Sequence, residues 1–310
     1  MSKVVRLGTR GSELALWQTE WVKRRLQEKN PQIKFEIEII KTTGDKILDS
    51  PLSKIGDKGL FTKELDISLL EDRTDLAVHS MKDVPTEFHP DLTIGAVTER
   101  WDVRDVLISR NGKGLDELPQ GAVIATGSLR RRAQLMHYRP DLRIIDIRGN
   151  LNTRFRKFDE ANWDAMILAA AGVERLKFDS RITQKIPVNI MFPAVGQGCF
   201  AVLAKKENKA ILDMLQTIHR PAVASSVLAE RAFLRTLEGG CQVPLGALGE
   251  IRDGKIYLQG CVASLDGKKY FRDAVVFPTD EPGAAGKELA GKLIKMGAGE
   301  ILEEIRKASE

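Results

Sequence analysis

Cysteine is scarce in this chain of 310 residues, which has only Cys199, Cys241 and Cys261. Three thiols so far apart cannot form a disulfide framework, and they suit a reducing compartment. No C-x-x-C pair occurs and there are four histidines, so no structural zinc site is expected. Aromatic residues make up 6% of the chain, too few to suggest stacking on nucleic-acid bases. The opening residues, Met1 to Gly8, contain no apolar core of a secretory signal. The uncharged run 186–204 is broken by Pro187, Pro193, Gly196 and Gly198, so a membrane-spanning helix is not expected. A cytoplasmic protein without a membrane partner is the expectation. Ser-His-Asp order, a Walker loop and a G-x-G-x-x-G fingerprint are all missing, which leaves nucleophilic hydrolysis and nucleotide use unsupported.

The composition is that of an ordinary globular protein, 43% hydrophobic and 29% charged, and the length allows two or three domains. Lys and Arg number 48 against 43 Asp and Glu, a net +5 that suits an anionic ligand. The first two-thirds alternates short β-branched runs (4–7, 35–40, 76–78, 123–125, 142–147, 165–168) with helical patterns, such as 14–28 and 61–70. This alternation predicts an α/β fold with helices on both faces of parallel or mixed sheets. Crossings near 99–104 and before Gly198 divide it into one domain of 1–99 with 199–218 and a second of 104–194. A third domain, 221–310, opens on a helix with Pro221 in its first turn. It continues as a hairpin of strands 256–263 and 269–277, then a final amphipathic helix through Leu289, Leu293, Ile294, Ile301 and Ile305. This is a small α+β domain with an antiparallel sheet.

Four loops share one design, in which a short apolar strand meets a Gly, Ser or Thr turn and then a cation near the next helix start. They are Thr9-Arg10-Gly11-Ser12, His79-Ser80-Met81-Lys82-Asp83, Thr126-Gly127-Ser128-Leu129-Arg130-Arg131-Arg132 and Arg148-Gly149-Asn150-Leu151-Asn152-Thr153-Arg154. A cation at a helix N-terminus opposes the macrodipole unless an anion joins it, so its repetition predicts a polyanion site. In open α/β sheets such loops gather at the strands' carboxyl ends and can converge on one crevice. Arginine's planar fork suits carboxylates. Arg132 and Arg156 read as solvated surface charges. Because the basic residues lie in separate turns rather than on one helix face, no nucleic-acid partner is expected. Asp83 is the acid embedded in a basic loop, readable as a cap, an ion-pair partner or a functional carboxylate. Cys241 follows Gly239-Gly240 and precedes Pro244, which suggests a loop thiol, either reactive or packed as a small hydrophobe. The segment 42–59 holds Gly44, Gly56 and Gly59 and reads as a mobile lid in which Lys54 and Lys58 meet substrate carboxylates on closure, with Phe61 just beyond it as the lid's apolar anchor; Asp45, Asp49 and Asp57 read as solvated.

Several segments, in this order, resemble hydroxymethylbilane synthase, the porphobilinogen deaminase family, over essentially the whole chain. They begin with Leu7-Gly8-Thr9-Arg10-Gly11-Ser12, Leu14-Ala15-Leu16-Trp17-Gln18, Lys58-Gly59-Leu60-Phe61 and His79-Ser80-Met81-Lys82-Asp83-Val84-Pro85. Gly127-Ser128-Leu129-Arg130-Arg131, Arg148-Gly149-Asn150, Ala194-Val195-Gly196-Gln197-Gly198 and Glu238-Gly239-Gly240-Cys241 complete them. The resemblance implies a monomeric transferase whose first two domains resemble type II periplasmic binding proteins. It implies a dipyrromethane cofactor joined to Cys241 by a thioether. On this primer four porphobilinogen units condense head to tail with loss of ammonia, and water then releases the linear tetrapyrrole. It implies Asp83 as the acid/base. Arg10, Ser12, Ser80, Lys82, Thr126, Ser128, Arg130, Arg131, Arg148, Arg154, Arg175 and Gln197 would hold the side-chain carboxylates of cofactor and substrate. One departure is visible: Cys199-Phe200-Ala201 stands where the family pattern has small residues leading to a glutamate, which questions the packing there. The rival reading is a non-catalytic anion-binding protein on a two-lobed scaffold, which would not explain the third domain or its loop thiol.

Overall fold

Residues 4–46, 59–237 and 243–307 are described by a computed structural model. The strands of the first half are β1 (Val4–Thr9), β2 (Lys34–Ile39), β3 (Leu76–Ser80), β4 (Leu92–Val97), β5 (Asp105–Ser109), β6 (Val123–Ala125) and β7 (Arg143–Ile145). Then come β8 (Ala165–Ala169), β9 (Gln184–Lys185), β10 (Phe200–Lys205), β11 (Leu245–Arg252), β12 (Lys255–Ala263) and β13 (Tyr270–Pro278). The helices begin with α1 (Glu13–Lys29), α2 (Thr43–Lys46), α3 (Lys63–Leu70), α4 (Leu129–Tyr138) and α5 (Leu151–Glu160). They continue with α6 (Ala170–Arg175), α7 (Lys209–Leu215), α8 (Pro221–Thr236), α9 (Pro282–Leu293) and α10 (Gly299–Lys307).

The described residues fall into two compact units. The first takes 4–46, 59–101 and 198–224. Its sheet runs β2-β1-β3-β10-β4, with β1 parallel to β2 and β3, and β10 antiparallel to β3 and β4. Leu7, Val78 and Val202 pack with Val22 and Leu26 of α1 and with Leu215 of α7. The segment Cys199-Phe200-Ala201, whose packing the sequence put in question, is absorbed here. Phe200, fully buried, lies edge-on to Trp21 with ring centroids 5.7 Å apart and 5.0 Å from Trp101. An aromatic in that corner adds the attraction of ring pairs to its burial.

The second unit takes 102–197, 225–237 and 243–307. It contains the sheet β7-β6-β8-β5-β9, in which β6 is parallel to β7 and β8 while β5 runs antiparallel to β8 and β9, and the antiparallel sheet β11-β12-β13. The three-stranded sheet has its own core, made by Ile256, Leu258 and Val262 against Phe233 of α8 and Leu289 and Leu293 of α9. A Cβ on Gly286 would come within 2.5 Å of Ala229 O and Phe233 N, so α9 needs glycine to lie against α8. The single final helix expected from sequence is broken: Gly297, at φ 114°, separates α9 from α10 through one π turn. Five further strands, β4, β5, β9, β10 and β11, were not expected. Two of them carry glycines, at 95, 246 and 249, that the period-2 pattern does not accommodate.

Candidate functional site

In the first unit β1 and β3 are parallel neighbours, so the turns at their carboxyl ends lie side by side. Arg10 to Ser12 leave β1, and a single 3-10 turn, Met81–Asp83, leaves β3. Ser12 caps α1, its oxygen accepting from Ala15 N at 3.3 Å. The hydroxyl proton is not used in that bond. A pocket between the turns is lined by Arg10, Ser12, Gln18, Phe61, Ser80 and Asp83, with His79 at its wall. Gln18 Nε2 donates to Ser80 Oγ at 2.9 Å, fixing a hydroxyl that the sequence had marked. Asp83 is exposed and Lys82 half-buried.

Arg10 lies 4.1 Å over the Phe61 ring and donates through Nε to Asp45 Oδ2 at 3.2 Å, with a second bond from NH2 to Oδ1. Asp45, expected to be solvated, is instead this arginine's partner. Thr42 Oγ1 also donates to it at 2.7 Å. Burial raises the Asp45 pKa, but the bonds from Arg10 and Thr42 outweigh it and hold the carboxyl below its ordinary value. Gly44 has a different role from the flexibility expected of it. A Cβ there would meet Phe61 at 2.3 Å, so the glycine seats the ring in the short helix α2. Lys54, Lys58 and most of the expected lid lie outside the described residues.

His79 was not singled out in the sequence. It is 5% exposed, and its Nε2 has no hydrogen-bond partner. Burial, and then the charge of Arg10, push its pKa down from 6.5 to about 4, so the imidazole is neutral in the working range. A depressed folded-state pKa means stability that is present above the unfolded value and lost as pH falls through about 4. His79→Gln is therefore expected to flatten the loss of stability between pH 6.5 and 4, measured by urea melts across that window. An unchanged slope would show that His79 titrates normally.

In the second unit β6 and β7 are likewise parallel neighbours. Thr126 N donates to Ile145 O at 2.9 Å, and a Cβ on Gly127 would come 2.6 Å from Ile147 O, so glycine lets the two turns touch. Ser128 caps α4 by accepting from Arg131 N at 3.4 Å, and Asn150 caps α5. Thr126 Oγ1 accepts from Ser128 N at 3.3 Å. Arg154 Nε donates to Gly149 O at 2.9 Å. Arg148 has one buried guanidinium nitrogen, NH1, with no partner. Arg175 closes α6, where a cation complements the helix dipole, and is 8% exposed.

Arg130 and Arg131 are 6% and 5% exposed and share one acid that the sequence reading missed, the fully buried Asp105. Burial alone would raise its pKa, but the two guanidiniums outweigh that and hold it well below the usual carboxylate range. Arg130 NH1 also donates to Phe192 O at 2.5 Å, and Arg131 NH1 to Ile167 O at 3.0 Å. Gln197, expected to grip carboxylates, directs its Nε2 to Val103 O at 2.7 Å and to Asp105 Oδ1 at 3.0 Å. Both hydrogens of that amide are therefore used inside the protein. The sequence signal for Asp105 was thin: a charged residue heading the apolar run Val106-Leu107-Ile108.

Two cations around one buried carboxylate leave a positive excess, and Arg131 Nε is buried without a partner. Unsatisfied buried N–H groups are costly, so this cluster fits a ligand bearing carboxylates. Cys241 lies outside the described residues. Among the described residues, no group of three or more His, Cys, Asp or Glu side chains is placed to hold a metal ion, and no helix is long and apolar enough to cross a membrane.

The family described as porphobilinogen deaminase, dipyromethane cofactor binding domain, matches residues 5–213, and the porphobilinogen deaminase C-terminal domain matches 224–295. The porphobilinogen deaminase of Desulforudis audaxviator is 53% identical over 306 residues, covering 99% of each chain. That of Gloeobacter violaceus is 52% identical over 310 residues, covering 98% of this chain and 94% of its own. Among solved structures, the periplasmic VFT2 domain of Bordetella pertussis BvgS matches with a TM-score of 0.42 at 14% identity, over 69% of this chain and 86% of its own. The periplasmic aliphatic sulphonate binding protein SsuA of Escherichia coli matches with a TM-score of 0.40 at 14% identity, over 77% and 71%.

Proposed function

The chain belongs to the porphobilinogen deaminase family, and on that premise we propose which of its residues carry the reaction. It is a transferase of porphyrin biosynthesis that condenses four porphobilinogen molecules on a dipyrromethane primer, releases ammonia and frees hydroxymethylbilane with water. Full-length identity of 53% to a named deaminase leaves the rival non-catalytic anion-binding protein without support.

The observation that carries the residue assignment is the first unit's pocket, where one acid, Asp83, stands beside Arg10, Ser12 and Ser80. In our reading Arg10 leaves Asp45 for a substrate carboxylate, the Ser12 hydroxyl donates to the same acidic side chains, and the Ser80 hydroxyl joins it by turning away from Gln18 Oε1, to which it donates at 3.2 Å. Porphobilinogen carries an acetate and a propionate, and bidentate arginine contacts orient such groups. Asp83 then delivers a proton to the departing amine nitrogen, and as a carboxylate it stabilises the positive charge left on the substrate's methylene carbon. Arg130, Arg131, Arg148, Arg154 and Arg175 receive acidic side chains in the second unit, with Thr126 and Ser128 as hydroxyl donors. Lys82 adds positive charge beside Asp83. Lys54, Lys58 and Phe61 are assigned to closure over substrate, and Phe61, stacked on Arg10, supports that part of the reading. When bound through Cys241, the dipyrromethane supplies the terminal pyrrole carbon to which each new ring is joined. We also propose a cytoplasmic monomer as the working form; the free thiols of Cys199 and Cys261 accord with a reducing compartment.

The arginines are expected to divide by stage. A charge-assisted hydrogen bond contributes roughly 1.5–3 kcal/mol, or about 10- to 100-fold. Arg130→Gln or Arg131→Gln should impair cofactor assembly and yield apoenzyme. Arg10, Arg148 and Arg154 variants should keep the cofactor and slow substrate addition. Ehrlich's reagent, which colours bound pyrroles, reads the first effect, and single-turnover rates read the second. Lysine replacements at all five positions that behave like the parent enzyme would rule out bidentate carboxylate binding.

A further inference from the structure

Asp105, the first residue of β5, has no exposed surface, yet three side chains converge on it. Arg130 NH1 donates to Oδ2 at 2.8 Å, while Arg131 NH2 and Gln197 Nε2 donate to Oδ1 at 2.7 and 3.0 Å. Both arginines lie in the first turn of α4, where the helix dipole opposes cations. They are nonetheless buried, and a buried guanidinium is strongly unfavourable without a hydrogen-bonded anion. A purely stabilising design would give each arginine its own acid. Here one carboxylate serves two, which leaves the cluster positively charged and one buried N–H, at Arg131 Nε, unpartnered.

Geometry adds a second argument. β5 is paired on both sides, with β8 and with β9, so the backbone that carries Asp105 is held in the sheet. Each carboxylate oxygen takes one arginine, which fixes the rotation of both guanidinium planes. Second bonds from those planes, to Phe192 O and to Ile167 O, complete the restraint. We propose that Asp105 is the positioning residue of the second unit's carboxylate receptor. It sets Arg130, Arg131 and the Gln197 amide before the acidic cofactor arrives, so that the cofactor enters a formed site. This rests on the reading of Arg130 and Arg131 as cofactor ligands.

The test compares Asp105→Asn, Asp105→Glu, Arg130→Gln and Arg131→Gln, each expressed as the full chain and supplied with porphobilinogen. Intact mass gives the fraction carrying the dipyrromethane adduct, and thermal melting shows whether each variant is folded. Asparagine offers one acceptor and one donor where two acceptors are needed. Glutamate keeps the charge but moves the oxygens by one methylene. A role in charge compensation alone would be met by glutamate, so Asp105→Glu separates positioning from stability. The expected result is folded protein with adduct formation reduced by about tenfold or more in Asp105→Asn, and by more than about twofold in Asp105→Glu. Loading within twofold of the parent in whichever aspartate variant folds, with both arginine variants still defective, would overturn the role of Asp105 alone. Normal loading in the arginine variants would overturn the cofactor reading beneath it. If neither aspartate variant folds, Asp105 is a stability element and the positioning role is likewise rejected.

Discussion

Replacing Asp83 with asparagine is expected to lower turnover by about 10²–10⁴ while the cofactor stays attached. The carboxamide has the same size and hydrogen-bonding reach, but it neither delivers a proton to the departing amine nor places a negative charge beside the electron-poor carbon. The effect belongs to chemistry rather than to folding. Asp83 is exposed at the end of one 3-10 turn, and substitutions at exposed positions usually change stability by no more than about 0.5 kcal/mol. The thermal midpoint should therefore stay near that of the parent while kcat falls. Asp83→Glu keeps the charge but displaces it, and should recover part of the loss. Turnover within threefold of the parent for the asparagine variant would return Asp83 to a capping or ion-pair role.

Cys241→Ser is expected to abolish activity by removing the point of cofactor attachment. A thiolate is a far better nucleophile than a serine hydroxyl, so the serine variant should be isolated without a pyrrole adduct. Neither remaining cysteine is placed to take over. Cys199 is 2% exposed, and Cys261 is fully buried with its pKa raised to about 11 by that burial. Cys261 Sγ also donates to Gln134 Oε1 at 3.5 Å. The variant should show no colour with Ehrlich's reagent and no detectable hydroxymethylbilane, with a melting transition close to that of parent apoenzyme. Appreciable turnover in Cys241→Ser would require a different anchor.

The turns were legible in the sequence because each has a local cause. A capping hydroxyl at Ser12 or Ser128, a glycine at 127 where Ile147 O approaches, and a helical pattern immediately after them are all contained within a few residues. The partners of the cations were not legible. Asp45 is 35 positions from Arg10, and Asp105 is 25 from Arg130, so folding alone decides which acid meets which arginine. Gln197 shows the same limit from the other side: its residue type suits carboxylate binding, but its hydrogens are used on Val103 and Asp105. His79 was hidden because the alternation of β3 sets its burial, and no local pattern shows that its Nε2 lacks a partner. Strands β10 and β11 were missed for a related reason. The uncharged run around β10 suggests neither period, and β11 carries two glycines at close approaches to Phe192 and Ser226.

The most direct test is the peptide-resolved mass of active enzyme given limiting porphobilinogen. The account predicts a dipyrromethane adduct confined to the peptide containing Cys241. During turnover, further species should appear on that same peptide, heavier by whole numbers of porphobilinogen less ammonia. An active enzyme whose Cys241 peptide is unmodified, or whose adduct maps to Cys199 or Cys261, would contradict it.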